Sequence, residues 1–367
     1  MISKELKVVI DEVITNRASW ILESPYRKEA IQFLETALSL GKGSEANSLR
    51  ILLCFKMYHW CDQVIFPNSQ QPIEDFKSLL NDFTDWLNET KKRMVDVEYS
   101  SLASGQDFSK EEKTKKYYGE LFKDYSHQEY CEEPYNILKT RFERNNIDIS
   151  KFEGLKALDG GCGGGRYSAA LSRFGFSEVT AIDFSPINVK TVKRNTQKFG
   201  IDNIKVQQAS ALELPFEDDT FDFVFSNGVL HHTANIQQGV NELVRVLKPG
   251  GQGWLYLIQD PGGIYWEFVD LLRIVVRDVP FDDAKAVLKA LGLPESKIFY
   301  ELDHVYVPIN YRSTEEEMVA YVTKAGGKDI VKLARGCDYD HSEKVFQDIA
   351  GAREKYGVGE QRYIFSK

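Results

Sequence analysis

Five of the six positions from Gly160 to Gly165 are glycine, and they follow the run Leu155-Lys156-Ala157-Leu158-Asp159. A glycine backbone reaches positive φ without strain and lets a ligand approach with no Cβ in the way. A helix opening near Arg166 would turn its free N–H groups toward that loop. Strand, glycine loop and helix in this order belong to α/β folds, and the chain that follows keeps alternating. The pattern predicts strands over 156–159, 178–183, 204–207, 221–226 and 252–258, with helices over 166–174, 186–199 and 236–247. A further helix opens at Thr314-Glu315-Glu316-Glu317, and the last strands are expected over 329–333 and 361–365. The expected fold class is α/β, a doubly wound, mostly parallel sheet covered by helices on both faces.

Ligands of such sheets bind beyond the carboxyl ends of the strands, where Asp159, Asp183, Ser210 and Asn227 fall. The dinucleotide pattern G-x-G-x-x-G needs a third glycine. Gly161 and Gly163 lead to Arg166 instead, and Gly163 and Gly165 lead to Ser168. No Gly-Lys-Ser/Thr follows, so the phosphate-loop pattern is absent too. A carboxylate at Asp159 would repel a phosphate and attract an ammonium group. Asp183, closing the run Val179-Thr180-Ala181-Ile182, suits the two hydroxyls of a ribose, which a carboxylate accepts in charge-assisted bonds. Loop and acid together describe a nucleoside whose other end is positively charged.

With these residues in place, the chain resembles the class I S-adenosylmethionine-dependent methyltransferases. Asp159-x-Gly161-x-Gly163-x-Gly165 matches that family's glycine-rich motif, and Asp183 its ribose-binding acid. Leu214-Pro215-Phe216, then Phe221 to His232, and Leu243-Val244-Arg245-Val246-Leu247-Lys248-Pro249-Gly250-Gly251 resemble its later segments in order. The resemblance runs from about Leu155 to Tyr256 and implies a Rossmann-like domain with S-adenosylmethionine as cofactor. It implies cofactor contacts from Asp159, Gly161, Cys162, Gly163, Gly165, Asp183, Phe184, Ser210, Ala211, Leu212 and Asn227. Ser210 departs from the pattern, because the family usually places Asp there to accept from the adenine amino group. The family's helices before the first strand cover the cofactor, which brings in Tyr117 or Tyr118, whose aromatic faces attract a sulfonium.

A chain of 367 residues accommodates roughly two domains. Leu6, Val9, Ile10, Val13 and Ile14 recur at helical spacing, and Ser24-Pro25 reads as the start of a second helix ending near Gly41. A third run covers about 45–61, and a fourth aligns Phe76, Leu80, Phe83 and Leu87 on one stripe. Residues 1–100 are therefore expected as an N-terminal helical domain, a bundle that admits a homodimer. Residues 101–150 are expected to hold a linker and the cofactor-covering helices, with a capping-box signal at Ser109 and Glu112. Residues 151–367 form the expected methyltransferase domain with an insertion over 261–312. The insertion is rich in aromatic residues and reads as a helical lid or substrate wall, with Tyr265, Trp266, His304, Tyr306 and Tyr311 as candidate acceptor contacts.

Methyl transfer from a sulfonium is an in-line displacement that positioning and water exclusion can drive. An acceptor O–H or N–H can also use a base, and His231 and His232 follow directly on the site-forming segment. Cys162 reads as a small loop residue rather than a nucleophile. No Asn-Pro-Pro-Tyr or Asp-Pro-Pro-Tyr follows the fourth strand, which in the family marks methylation of planar amino groups. The five cysteines form no Cys-x-x-Cys, which suggests a reducing cytoplasm and no structural metal. A net charge of −9 opposes nucleic acid as partner, no apolar stretch approaches the ~20 residues of a membrane span, and the N-terminus lacks a signal peptide's apolar core. The expected function is methyl transfer to an oxygen or nitrogen of a small or medium-sized molecule. A non-catalytic S-adenosylmethionine-binding or assembly protein, and a nicotinamide-dependent oxidoreductase, are the alternatives.

Overall fold

A computed structural model describes residues 3–41, 43–94, 125–293 and 295–367. The chain divides into two compact units. One comprises Ser109–Pro261, Tyr311–Gln347 and Val358–Lys367, and the other Met1–Phe108, Gly262–Asn310 and Asp348–Gly357, each in its described residues.

The first unit is built on a seven-stranded sheet: β1 Lys156–Gly160, β2 Glu178–Asp183, β3 Ile204–Gln208, β4 Phe221–Asn227, β5 Leu247–Leu257, β6 Lys328–Lys332 and β7 Gln361–Ser366. Their order is β3-β2-β1-β4-β5-β7-β6, parallel through β5, with β7 antiparallel to both β5 and β6. Chain order reverses on either side of β1, so the crevice beyond its carboxyl end is the place for a ligand. Each strand shows two faces. Phe223 and Phe225 pack with Phe142, Phe152, Phe176 and Trp254 on one side, while Val224 packs with Leu158, Leu243 and Leu255 on the other. The helices Arg166–Ser172, Pro186–Phe199 and Ile236–Val246 fall where periodicity put them. The helix Glu315–Lys324 opens on a reciprocal cap: Thr314 Oγ1 accepts from Glu317 N–H at 3.2 Å, and Glu317 Oε2 accepts from Thr314 N–H at 2.9 Å. β5 begins at Leu247, earlier than the glycine pair Gly250-Gly251 suggested, because Leu247 already pairs with Phe221 before a register shift.

A buried ion network ties the sheet's antiparallel edge to the helix Glu133–Arg144. Arg141 donates to both oxygens of Asp340, at 2.8 and 2.7 Å, and Arg362 reaches the same carboxylate at 3.1 Å.

The second unit is helical. The expected N-terminal helices are present as Lys4–Val13, Arg27–Leu38, Ser44–Trp60 and Pro72–Met94. Ser24 does not cap the second of these. It closes the short helix Trp20–Glu23, its N–H bonded to Trp20 O at 2.7 Å. The segment expected as an inserted lid belongs, over Gly262–Asn310, to this unit, and the physical reason lies in its first helix. Gly263–Val275 has eleven buried residues among its thirteen, and a helix apolar on every side is a core element with no solvent face to spare. Phe268 meets Tyr58 and Phe76 edge-on, and the charged groups of the helix are bonded: Trp20 Nε1 donates to Asp270 at 2.9 Å, Tyr26 bonds Glu267, and Arg273 donates to His304 O and Val307 O.

Candidate cofactor and active site

The glycine loop has steric reasons to be glycine. Gly161, Gly163 and Gly165 sit at φ of +99°, +52° and +85°. A Cβ at Gly161 would stand 2.3 Å from a methyl of Val229, and one at Gly165 would stand 2.6 Å from Tyr130 Oη and 2.8 Å from Val192. Backbone bonds fold the loop over β2, with Gly161 and Cys162 N–H both donating to Ile182 O. The Cys162 thiol is pushed well above its usual range by burial and by the Asp183 and Asp159 charges, so it stays protonated.

Asp159 is 2% exposed, and Ser168 Oγ donates to its Oδ2 at 2.5 Å. Burial pushes its carboxyl up to about 7, with Asp183 adding to the rise and Ser168 opposing it. Among the described residues no cation contributes. At neutral pH the group is therefore poised between acid and carboxylate, and a cationic guest would draw it to the charged form.

Asp183 is committed to the loop. Its Oδ2 accepts from Gly163 N–H at 2.9 Å, and its Oδ1 from Ser185 N–H at 2.8 Å and Asn188 Nδ2 at 3.1 Å. Burial raises this carboxyl despite those three bonds. A carboxylate offers about four acceptor sites, so one remains without displacing any of them. Phe184, the next residue, is 47% exposed and presents an apolar surface beside the strand end.

The remaining candidates stand as follows. Ser210 Oγ accepts from Leu212 N–H at 3.1 Å, and Ala211 and Leu212 are half-buried. Asn227 Oδ1 accepts from Trp254 Nε1 at 3.1 Å. His231 is 1% exposed, its Nδ1 accepts from Ile258 N–H at 3.3 Å, and its carbonyl accepts from Tyr311 N–H at 2.9 Å. A neutral imidazole that accepts at Nδ1 carries its proton on Nε2, so this ring is arranged to donate. His232, 9% exposed, lies edge-on to it with centroids 4.1 Å apart. Tyr265, Trp266, His304 and Tyr306 belong to the helical unit. Tyr265 packs on Phe66, Trp266 on His304, and Tyr306 on Phe281. Tyr117 and Tyr118 lie outside the described residues.

Sequence reading missed Ser168, Asn188 and Tyr130. Ser168 lies two residues into the helix after the loop, and Asn188 five residues after Asp183, so both were legible as the nearest polar groups to the two acids. Tyr130 left no such signal. It is fully buried, stacks on Phe199, and its hydroxyl finds no hydrogen-bond partner among the described residues.

Residues 158–255 match the family model of a methyltransferase domain. Those residues are a methyltransferase domain. A demethylmenaquinone methyltransferase of Staphylococcus aureus is 36% identical over 132 residues, which are 33% of this chain and 54% of that protein. A ubiquinone biosynthesis O-methyltransferase of Caulobacter vibrioides is 40% identical over 112 residues, 30% of this chain and 44% of that protein. The chain thus spans about half the length of the curated relatives it matches. A solved methyltransferase structure from Aquifex aeolicus is similar to 71% of this chain and to all of its own, at 18% identity and a TM-score of 0.39. Beside the glycine loop, where a Cβ at Gly161 or Gly165 would run into Val229, Tyr130 or Val192, lies a buried acid with no cation near it among the described residues.

Proposed function

We propose that the chain transfers a methyl group from S-adenosylmethionine to an oxygen or nitrogen of a small or medium-sized molecule. The buried, uncompensated Asp159 beside a Cβ-free loop carries this reading, because it suits the ammonium of a methionyl group and opposes a pyrophosphate. When bound, the cofactor supplies a methyl group on a cationic sulfur. Asp159 holds the amino group, and Gly161, Cys162, Gly163 and Gly165 give the methionyl end a close backbone. Asp183 takes a ribose hydroxyl on its remaining acceptor site, and Phe184, Ser210, Ala211, Leu212 and Asn227 face the nucleoside. Catalysis rests mainly on orientation and water exclusion.

His231, with its proton on Nε2, acts as a donor that orients the acceptor, and His232 stands beside it. Tyr311, bonded to the His231 carbonyl, is the aromatic candidate of the same unit for an acceptor contact. The names of the two relatives, both of quinone biosynthesis, favour a small acceptor with apolar character. Among the described residues no helix is long and apolar enough to cross a membrane. The experiment is a metabolite screen read by release of S-adenosylhomocysteine. Turnover with an oxygen or nitrogen acceptor supports the reading. Cofactor binding without turnover on any acceptor would favour a binding or assembly protein.

A further inference from the structure

Tyr130 lies outside the residues that match the family model, on a turn of π-helix, Gln128–Glu132, that leads into the helix Glu133–Arg144. Turns of this kind are rare and gather at functional sites. This one is pinned on both sides of Tyr130: Glu129 O accepts from Arg166 Nε at 2.7 Å, and Cys131 O accepts from Arg173 Nη1 at 3.0 Å. The two arginines open and close the helix Arg166–Ser172, which continues the glycine loop, so Tyr130 is tied to that loop's own support. Its ring stacks on Phe199 with centroids 5.3 Å apart, and its hydroxyl reaches the backbone of Gly165, where a Cβ would stand 2.6 Å away.

That hydroxyl is buried and has no hydrogen-bond partner among the described residues, an arrangement protein interiors seldom keep without a use for it. Burial pushes the phenol far above its usual range, with the Cys162 thiol and the Asp159 carboxyl among the neighbours that add to the rise, so it keeps its proton and stays a donor. The methyl-transfer reading leaves one charged group of the cofactor unassigned. Asp159 takes the ammonium, and the methionyl carboxylate sits on the same carbon, so its partner must stand beside the loop and near Asp159. A lysine or arginine there would pair with Asp159 and take the ammonium's place. A hydroxyl donates to a carboxylate and leaves Asp159 uncompensated for the ammonium. We propose that Tyr130 donates its hydroxyl proton in a hydrogen bond to the methionyl carboxylate of the cofactor. The assignment rests on the methyl-transfer reading and adds one contact to the same site.

Calorimetric titration of the full chain and of Tyr130→Phe tests it, with S-adenosylhomocysteine and with decarboxylated S-adenosylhomocysteine, which keeps the nucleoside and the ammonium but has no carboxylate. Tyr130→Phe should weaken S-adenosylhomocysteine at least about tenfold, the scale of a hydrogen bond to a charged group. The same substitution should leave the affinity for the decarboxylated ligand unchanged, an outcome that a merely structural role for Tyr130 would not give. In urea unfolding without ligand, Tyr130→Phe should be at least as stable as the unaltered chain, because only an unpaired hydroxyl is lost. Unchanged affinity for S-adenosylhomocysteine, an equal loss for both ligands, or a variant that is less stable or does not fold would overturn the proposal. An unaltered chain that binds neither ligand would overturn the methyl-transfer reading itself, and this contact with it.

Discussion

Asp159→Asn separates the cost of the buried acid from its use. In the ligand-free chain, burial moves this carboxyl from an ordinary 3.8 up to about 7. A folded-state pKa above the unfolded value means a stabilising contribution that is complete below about 3.8 and lost as pH rises through about 7. At about 1.36 kcal/mol per pH unit, that gap sets an upper bound of about 4 kcal/mol on what ionised Asp159 costs the free protein at pH 8. Asparagine keeps the shape and still accepts from Ser168 Oγ, now 2.5 Å away, but has no charge to desolvate. The ligand-free variant should match the wild type near pH 4 and exceed it by about 1–4 kcal/mol near pH 8. Urea unfolding across that range measures the difference, and taking variant minus wild type cancels the slopes of other acids, Glu301 among them. The complex should behave in the opposite sense. Wild-type affinity for S-adenosylmethionine should strengthen as pH rises through about 7, whereas the variant should bind weakly at every pH. A variant with the wild-type pH slope, or one less stable than wild type at pH 8, would refute the reasoning.

Three further outcomes are expected. Asp183→Ala should weaken S-adenosylhomocysteine by roughly 1.5–3 kcal/mol in calorimetry, and unchanged affinity in folded protein would remove the ribose assignment. Gly165→Ala should lower the thermal midpoint by the equivalent of about 1–3 kcal/mol, since the new methyl lands on Tyr130 Oη and Val192. Adding Tyr130→Phe should return only part of the loss, because Val192 remains. Asp340→Asn should cost about 3–5 kcal/mol at neutral pH in denaturant unfolding, by stranding two buried guanidinium groups. Although burial pushes Asp340 up, Arg362 and Arg141 hold it well below the usual carboxylate range. Its stabilisation is therefore present above the ordinary value and lost as pH falls below it, and the variant should show a flatter acid limb.

Much of the sheet was legible because its punctuation is chemical. Asp159 with Gly160 and Asp183 with Ser185-Pro186 mark strand ends and helix starts, and apart from the start of β5, five residues earlier than expected, the edges fell within a residue or two. The burial of the two acids was less legible, since a carboxylate's neighbours come from distant segments. Ser210 matched a family position, yet its bond to Leu212 N–H depends on a local turn that spacing does not encode. The segment after Pro261 looked like a lid because its aromatic content was read as a ligand wall. Its lack of a polar face was the better signal, as eleven buried positions in Gly263–Val275 make plain.

That central helix also sets a timetable for the nascent chain. The bundle's own N-terminal helices leave the ribosome first, but the element they are built around follows only after five strands of another unit have been made. Their apolar stripes must wait, either exposed or held by a chaperone, while about 170 residues are synthesised at about 5–20 residues per second. The helical unit is thus unable to mature as an independent early domain. Its folding is non-local and slow for an all-helical body, and a fragment ending before Gly263 should aggregate rather than yield a stable bundle.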